Sequence, residues 1–274
     1  ATYETQRKAL TRVEAMSLAH PIGRPLDLIL WPESVYAFLP ASLPNSWKEL
    51  PQKVAQKQDA SVLFNAFSMT KERSVSNSLY LATPEGTSLI YSKRRLVPFG
   101  EFVPYGFRWL VDALAVPMAD QVPGARPTSP VTMAGIQGAV GICYENIFPS
   151  ELADWFDVGN PALIIYSANL GWFSDVSVRQ FSQMSRMRAR EAARPVLQVL
   201  NNAGSALFDP TGTELRRAGF GAQNLDATVR LFSGSPTPFM QYGFAIFGLF
   251  WALLFATTFG FCRLLKCFSR KSEG

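Results

Sequence analysis

Residues 138–148 read GAVGICYENIF, a short run of small and β-branched residues followed by a helix-like segment. The first part predicts a buried strand over 139–143, and the second predicts a helix over 146–156. The same alternation recurs along the chain, with a further helical period over 175–193. It indicates an α/β domain with buried sheets. The other predicted strands cover 26–30, 61–69, 78–82, 88–91, 162–167, 196–200 and 204–208.

The composition excludes several classes of protein. Apolar residues make up 48% of the 274 residues and charged residues 17%, which excludes a disordered chain. One His and three Cys cannot build a disulfide framework or a four-thiolate zinc site. The net charge of +5 is concentrated in 263–274, and the rest of the chain is nearly neutral. Nucleic-acid binding, which needs a basic face, is therefore not expected.

A charge-free segment near the C-terminus predicts a membrane span. Residues 242–262 are apolar, and as a helix they would be about 30 Å long, the thickness of a hydrocarbon core. A basic cluster follows, so the tail 263–274 is predicted to be cytoplasmic. Residues 234–241 are predicted as a linker, and the domain 1–233 would then lie on the opposite side of the membrane. The alternative is a buried core helix.

Residues 1–18 predict an amphipathic helix with Leu10, Val13 and Leu18 on one face, and not a targeting segment. A domain across the membrane needs an export signal, and the chain begins with Ala1, so we expect N-terminal residues to be missing. The predicted globular part holds a single thiol, Cys143. In an oxidising compartment this thiol is either buried and inert or kept free for chemistry.

The segment LDLILWPES, residues 26–34, places Glu33 directly after a buried strand. Burial would raise the pKa of this carboxyl and make it a usable base near neutral pH. The alternative is a carboxylate at a helix start or on the surface. Alone, this segment is weak evidence for catalysis.

The segment YSKRRLVPFGEFVPYGFRWL, residues 91–110, carries Lys93 and Glu101. Lys93 closes a predicted strand, and its ammonium could stabilise a developing oxyanion. The alternative is a solvated basic run. The aromatic stretch that follows is broken by Pro and Gly, so it cannot form one long helix. If exposed, it would be a membrane-facing or acyl-binding surface, and if buried it would be core.

Cys143 lies at a predicted strand-to-helix turn, where main-chain N–H groups and the helix dipole favour a thiolate. The same N–H groups suit an oxyanion hole. The alternative is a buried structural Cys. The combination is more informative than each residue alone, because Glu33, Lys93 and Cys143 could serve as base, oxyanion stabiliser and nucleophile. These are the groups that acyl transfer requires.

Three segments, WPES at 31–34, KRRLVPFGEFVP at 93–104 and CYE at 143–145, resemble the signature segments of the nitrilase superfamily. More narrowly, they resemble the apolipoprotein N-acyltransferase family. The resemblance implies an α-β-β-α sandwich on the periplasmic face of a bacterial inner membrane, with no cofactor and no metal. It also implies roles for the site residues. Those residues are Glu33 as base, Lys93 as oxyanion stabiliser, Cys143 as nucleophile, Glu101 and Glu145 as accessory acids, and Tyr144 as an oxyanion-hole N–H donor.

The implied reaction moves an acyl chain from a phospholipid, through a Cys thioester, to the N-terminal amine of a lipoprotein. Compared with the family pattern, we expect the membrane helices and first strand that usually precede this domain to be missing, and Leu170 and Arg95 stand where Asp and His are common. Two alternatives stay open. One is a nitrilase-type amidohydrolase, and the other is a catalytically altered paralogue in a membrane assembly or plasmid transfer system.

Overall fold

The computed structural model describes residues 2–20, 25–39, 42–109, 120–171, 173–201, 204–219 and 221–271. Its helices α1–α6 are Tyr3–Leu18, Asn45–Lys48, Leu50–Gln58, Pro149–Asp157, Asp175–Ala192 and Pro238–Lys271. Its strands β1–β10 are Leu28–Leu30, Ser61–Met69, Val75–Thr83, Gly86–Ser92, Val131–Met133, Ile136–Ile142, Leu163–Asn169, Val196–Asn201, Ala206–Phe208 and Glu214–Arg217. A 3₁₀ helix covers Cys143–Ile147.

The described strands form two sheets. The first has four strands in the order β1-β2-β3-β4, with β1 parallel to β2 and the other pairs antiparallel. The second has six strands in the order β10-β9-β8-β7-β6-β5, with a parallel centre formed by β6, β7 and β8. Parallel neighbours place their carboxyl ends at one edge of a sheet, which brings the loops after these strands together.

Side chains from β2 show how the layers are arranged. Leu63 packs in the core between the sheets, whereas Val62 and Phe64 pack in a separate core with Leu10 of α1 and Val54 of α3. Alternate residues of a strand face opposite sides, so this sheet is covered on both faces. Buried side chains of α4 and α5, among them Trp155 and Phe181, pack with residues of the second sheet. The predicted α/β sandwich is therefore confirmed.

The predicted helix over 146–156 is two elements. The chain first makes the 3₁₀ helix, and α4 then starts at Pro149, the position where a Pro best begins a helix. Helices α2 and α3 and the strands β5 and β10 are additions to the predicted set.

The terminal helix α6 begins at Pro238, inside the stretch 234–241 predicted as a linker. Among the residues that the structure describes, no helix is both long enough and apolar enough to cross a membrane. The predicted transmembrane helix over 242–262 is therefore not supported. The exposed apolar side chains described on α6 are Phe239, Tyr242, Ile246, Phe247, Leu249, Phe250, Trp251, Leu253, Leu254 and Phe255. The side chains of 263–274 lie outside the described residues.

Candidate active site

The three predicted reactive residues follow three different strands. Glu33 lies after β1, Lys93 directly after β4, and Cys143 directly after β6, so the first two come from one sheet and the third from the other. The three groups influence one another's ionisation, and Glu101 influences each of them. The fold thus brings together four of the residues that the sequence singles out, at the junction of the two sheets.

Glu33 is buried, and both of its carboxylate oxygens accept hydrogen bonds. The side-chain amide of Asn77 donates to Oε1 at 2.8 Å, and the main-chain N–H of Asn169 donates to Oε2 at 2.8 Å. Burial raises the pKa of Glu33, and the charge of Lys93 and these two donors oppose the rise. A carboxyl with a raised pKa is a suitable proton acceptor near neutral pH.

Two buried asparagines near Glu33 were not predicted. Asn65 lies in the middle of β2 and Asn77 near the start of β3, and Asn65 donates a hydrogen bond to Asn77. The main-chain carbonyl of Asn77 also accepts from Lys93 N at 2.7 Å. Asn77 therefore contacts both Glu33 and Lys93. The sequence does offer a signal for these residues, because an Asn inside an apolar strand indicates a buried polar contact.

Lys93 is only 1% exposed, and its Nζ lies 2.6 Å from Oε1 of Glu101. The other oxygen of Glu101 accepts from the main-chain N–H of Val97 at 2.9 Å. Burial alone would lower the pKa of Lys93, but the neighbouring acidic groups outweigh burial and raise its pKa. The side chain is therefore a fixed cation over the whole physiological pH range.

Residues 121–124 form a strap across the loop between Lys93 and Glu101. Gln121 N donates to the carbonyl of Glu101 at 2.8 Å, and Gly124 N donates to the carbonyl of Lys93 at 2.8 Å. The strap thus holds the main chain at both ends of the ion pair. Asp120, just before it, accepts from Val103 N at 3.1 Å and fixes the loop further along.

Cys143 has a left-handed backbone conformation with φ of 50°, and the main-chain N–H of Tyr144 acts to lower the pKa of its thiol. Burial and the charges of Glu33 and Glu101 raise the pKa of the thiol to about 12, although Lys93 and Tyr144 oppose the rise. The expectation of a thiolate is therefore wrong for the resting protein. A dipole from one short 3₁₀ helix does not offset burial beside carboxylates, so the thiol needs a base.

Both carboxylate oxygens of the buried Glu145 accept hydrogen bonds. Its Oε1 accepts from Tyr91 Oη at 2.7 Å and from the main-chain N–H groups of Arg94 and Arg95 at 2.6 and 3.2 Å. Its Oε2 accepts from Ile142 N at 2.7 Å. One carboxylate thus joins the chain after Lys93 to the chain before Cys143. Burial raises the pKa of Glu145, and these donors oppose the rise.

The aromatic loop after Lys93 is exposed over much of its length. Phe99, Tyr105, Phe107 and Trp109 are exposed, with Trp109 at 68%. Phe99 and Phe107 make an edge-to-face contact with ring centroids 5.6 Å apart. The sequence left open whether this stretch is an exposed surface or part of the core, and these four side chains are exposed. Leu110 lies outside the described residues.

The two departures from the family pattern lie beside the site. Leu170 directly follows Asn169 and is buried in the core between the sheets. Arg95 is half-exposed, pairs with Glu151 at 2.6 Å and covers the ring of Phe148.

Comparison with known proteins assigns the class. The carbon-nitrogen hydrolase profile matches residues 2–232, and the chain belongs to this family. Its fold is similar to that of a carbon-nitrogen hydrolase superfamily protein from Xanthomonas campestris with an arsenic adduct in its active site (TM-score 0.60, 19% identity, covering 83% of this chain and 84% of that one). It is also similar to a Nesterenkonia amidase carrying acrylamide on its active-site cysteine (TM-score 0.58, 17% identity, 78% and 84% coverage).

More closely related in sequence are two proteins named apolipoprotein N-acyltransferase. The chain is 33% identical to that of Ralstonia nicotianae over 225 residues, covering 80% of this chain and 43% of the relative. It is 32% identical to that of Nitrosomonas europaea over 237 residues, covering 82% and 46%. The chain thus spans less than half the length of these relatives.

Proposed function

We propose that this chain is the catalytic part of an N-acyltransferase that forms a thioester on Cys143. The acyl donor is a phospholipid, and the acceptor is the α-amino group of a diacylglyceryl-cysteine at a lipoprotein N-terminus. One observation carries the proposal: a buried carboxylate and a buried ammonium that follow strands of one sheet interact with each other and with a thiol that follows a strand of the other sheet. The names of the similar proteins supply the substrate class.

In the first half-reaction, Glu33 takes the thiol proton of Cys143, and the sulfur attacks the ester carbonyl of the phospholipid. The Lys93 ammonium stabilises the resulting oxyanion, together with main-chain N–H groups such as that of Tyr144. The C–O bond then breaks, and Glu33 returns the proton to the departing lysophospholipid alkoxide. The acyl group remains on sulfur.

In the second half-reaction, the lipoprotein amine attacks the thioester carbonyl and gives its proton to Glu33. The C–S bond breaks, an amide forms, and the proton passes to the departing Cys143 sulfur. Lys93 serves the second oxyanion as it served the first. Glu101, which holds Lys93 at 2.6 Å, keeps the ammonium in place through both steps.

The proposal places the enzyme at a membrane surface. Aromatic side chains are favoured at the boundary between lipid and water, and Tyr105 and Trp109 are exposed on the loop that carries Glu101. A lipid substrate could therefore reach Lys93 and Cys143 from the bilayer. The predicted location, the periplasmic face of a bacterial inner membrane, belongs to the same proposal.

Intact-mass spectrometry tests the thioester. The chain is incubated with phospholipid vesicles, and we expect a hydroxylamine-sensitive adduct of one acyl chain on Cys143 that a diacylglyceryl-cysteine peptide then removes. Cys143→Ala is the control and should gain no mass. A folded protein that never gains an acyl mass would overturn the proposal.

An amidohydrolase is the second candidate, and the likeness to a Nesterenkonia amidase favours it. The same three groups would pass the acyl group from an amide to water. Ammonia release from soluble amides, with no lipid-dependent adduct, would support this function. Absence of both activities in the folded chain would favour a catalytically altered paralogue.

A further inference from the structure

We propose that Asn65 is a positioning residue that turns the Asn77 amide so that only an N–H group faces Glu33. The inference rests on the proposed function, because it concerns the carboxylate that would accept the thiol proton. It adds a residue that does not contact the reacting groups itself.

The main chain fixes the orientation of the Asn65 amide. Ser34 N donates to Asn65 Oδ1 at 3.2 Å, and Asn65 Nδ2 donates to the carbonyl of Ser78 at 3.0 Å. A main-chain N–H can only donate and a carbonyl can only accept. Reversing the amide would therefore lose both bonds at a site that is 4% exposed, where unmet polar groups are costly.

The fixed orientation of the Asn65 amide determines the orientation of the Asn77 amide. Asn65 Nδ2 also donates to Asn77 Oδ1, so the amide oxygen of Asn77 is occupied on the side away from Glu33. The Nδ2 of Asn77 is left to donate to Glu33 Oε1 at 2.8 Å. Ser34 directly follows Glu33. Glu33, Ser34, Asn65 and Asn77 therefore form a closed ring that is joined by three hydrogen bonds and one peptide bond.

The ring favours the ionised form of Glu33. A protonated carboxyl needs an acceptor for its O–H. The partners of Glu33, Asn77 Nδ2 and Asn169 N, are both donors, and Asn65 prevents Asn77 from turning its oxygen around. The charged and titratable groups facing Glu33 are Lys93, Glu101 and Cys143, and they would be unchanged by substitution of Asn65.

Asn65→Leu tests the inference, because leucine has a similar shape and no hydrogen-bonding group. The rate of Cys143 alkylation by iodoacetamide is measured from about pH 4 to about pH 9 by peptide mass spectrometry. We expect the acidic limb of this profile to move up by about one pH unit, since Asn77 can then turn and stabilise protonated Glu33. Ser68→Ala, on the same strand without contact to Glu33, should leave the limb in place.

Asn65→Ser is the second variant, in case the leucine variant does not fold, and it should shift the limb in the same direction. A folded variant whose rate falls equally at every pH would show a merely structural role and overturn the inference. Loss of folding in both variants would also overturn it. Alkylation needs no lipid, so a failure of the proposed acyl transfer would be seen separately.

Discussion

The main-chain N–H of Gly124 donates to the carbonyl of Lys93 at 2.8 Å, and there is no room for a side chain at this contact. A Cβ at position 124 would lie 2.2 Å from the carbonyl oxygen of Ser92. That atom is main chain and cannot turn away. The contact therefore ties the position of the buried lysine to a glycine more than thirty residues away along the chain.

Gly124→Ala should lower the rate of Cys143 acylation by about tenfold or more, because the displaced strap moves Lys93 and small misplacements of reacting groups are costly. Single-turnover acylation followed by intact mass measures the rate. Gly86→Ala is the matched control, since an added Cβ there meets nothing within 4 Å. Equal rates for the two variants would show that the strap does not position Lys93.

Lys93→Met should lower the acylation rate by about 100-fold or more, because it removes the ammonium that stabilises the oxyanion in the proposed mechanism. The methionine keeps the length and apolar stem of the side chain. Lys53→Met, at an exposed pair with Glu49, is the control and should match the unmodified protein. A Lys93→Met enzyme within twofold of normal would remove lysine from the proposed mechanism.

The acylation rate should fall as the pH drops through the pKa of Glu33. Burial raises this pKa above its ordinary value of 4.5, so the loss should begin at a higher pH than for an exposed glutamate. Below its raised pKa, Glu33 is protonated and cannot accept the thiol proton. The pKa of Lys93 is also raised, so the ammonium stays charged and no loss is expected on the alkaline side below about pH 10. A rate profile in buffers of constant ionic strength measures both limbs. If Glu33→Gln retains the acidic limb, another group is the base.

Glu145→Gln should destabilise the protein by about 1–3 kcal/mol, because the new NH₂ group must face main-chain N–H donors. Thermal unfolding should show a Tm lower by about 2–4 °C per kcal/mol. Tyr91→Phe removes one of these bonds, keeps the ring contact with Trp155 at 5.5 Å, and should cost only about 1 kcal/mol. An unchanged Tm for Glu145→Gln would contradict the view that this carboxylate joins the two chain segments.

Elements with a strong local pattern could be predicted from the sequence. Strand β2 runs over Ser61–Met69, the predicted bounds, because nine largely apolar residues between polar breaks leave little choice. Helix α3 was missed because it is short and carries few apolar residues. Strand β10 was missed because its four residues are all exposed and its pairing with β9 supplies the only reason for it to be a strand.

The residues of the site also divide into those that the sequence predicts and those that only the folded structure reveals. Glu33, Lys93 and Cys143 each follow an apolar strand, and this is a local feature of the sequence. The supporting amides depend on the register of the β2–β3 hairpin, in which Asn65 pairs with Leu79 and Asn77 with Phe67. No local pattern specifies that register, so the contact between the two asparagines needed the folded structure. The raised pKa of Cys143 likewise depends on burial in the folded chain and on carboxylates from other segments.

The left-handed main chain at Cys143 limits which residues could replace this cysteine during evolution. A serine tolerates φ of 50° about as well as a cysteine, so exchange between thiol and hydroxyl nucleophiles costs little backbone strain. A threonine is β-branched and strongly disfavours that region, so a threonine nucleophile would require remodelling of the turn itself. The geometry of one residue thus limits which descendants of this fold could change their chemistry by a single substitution.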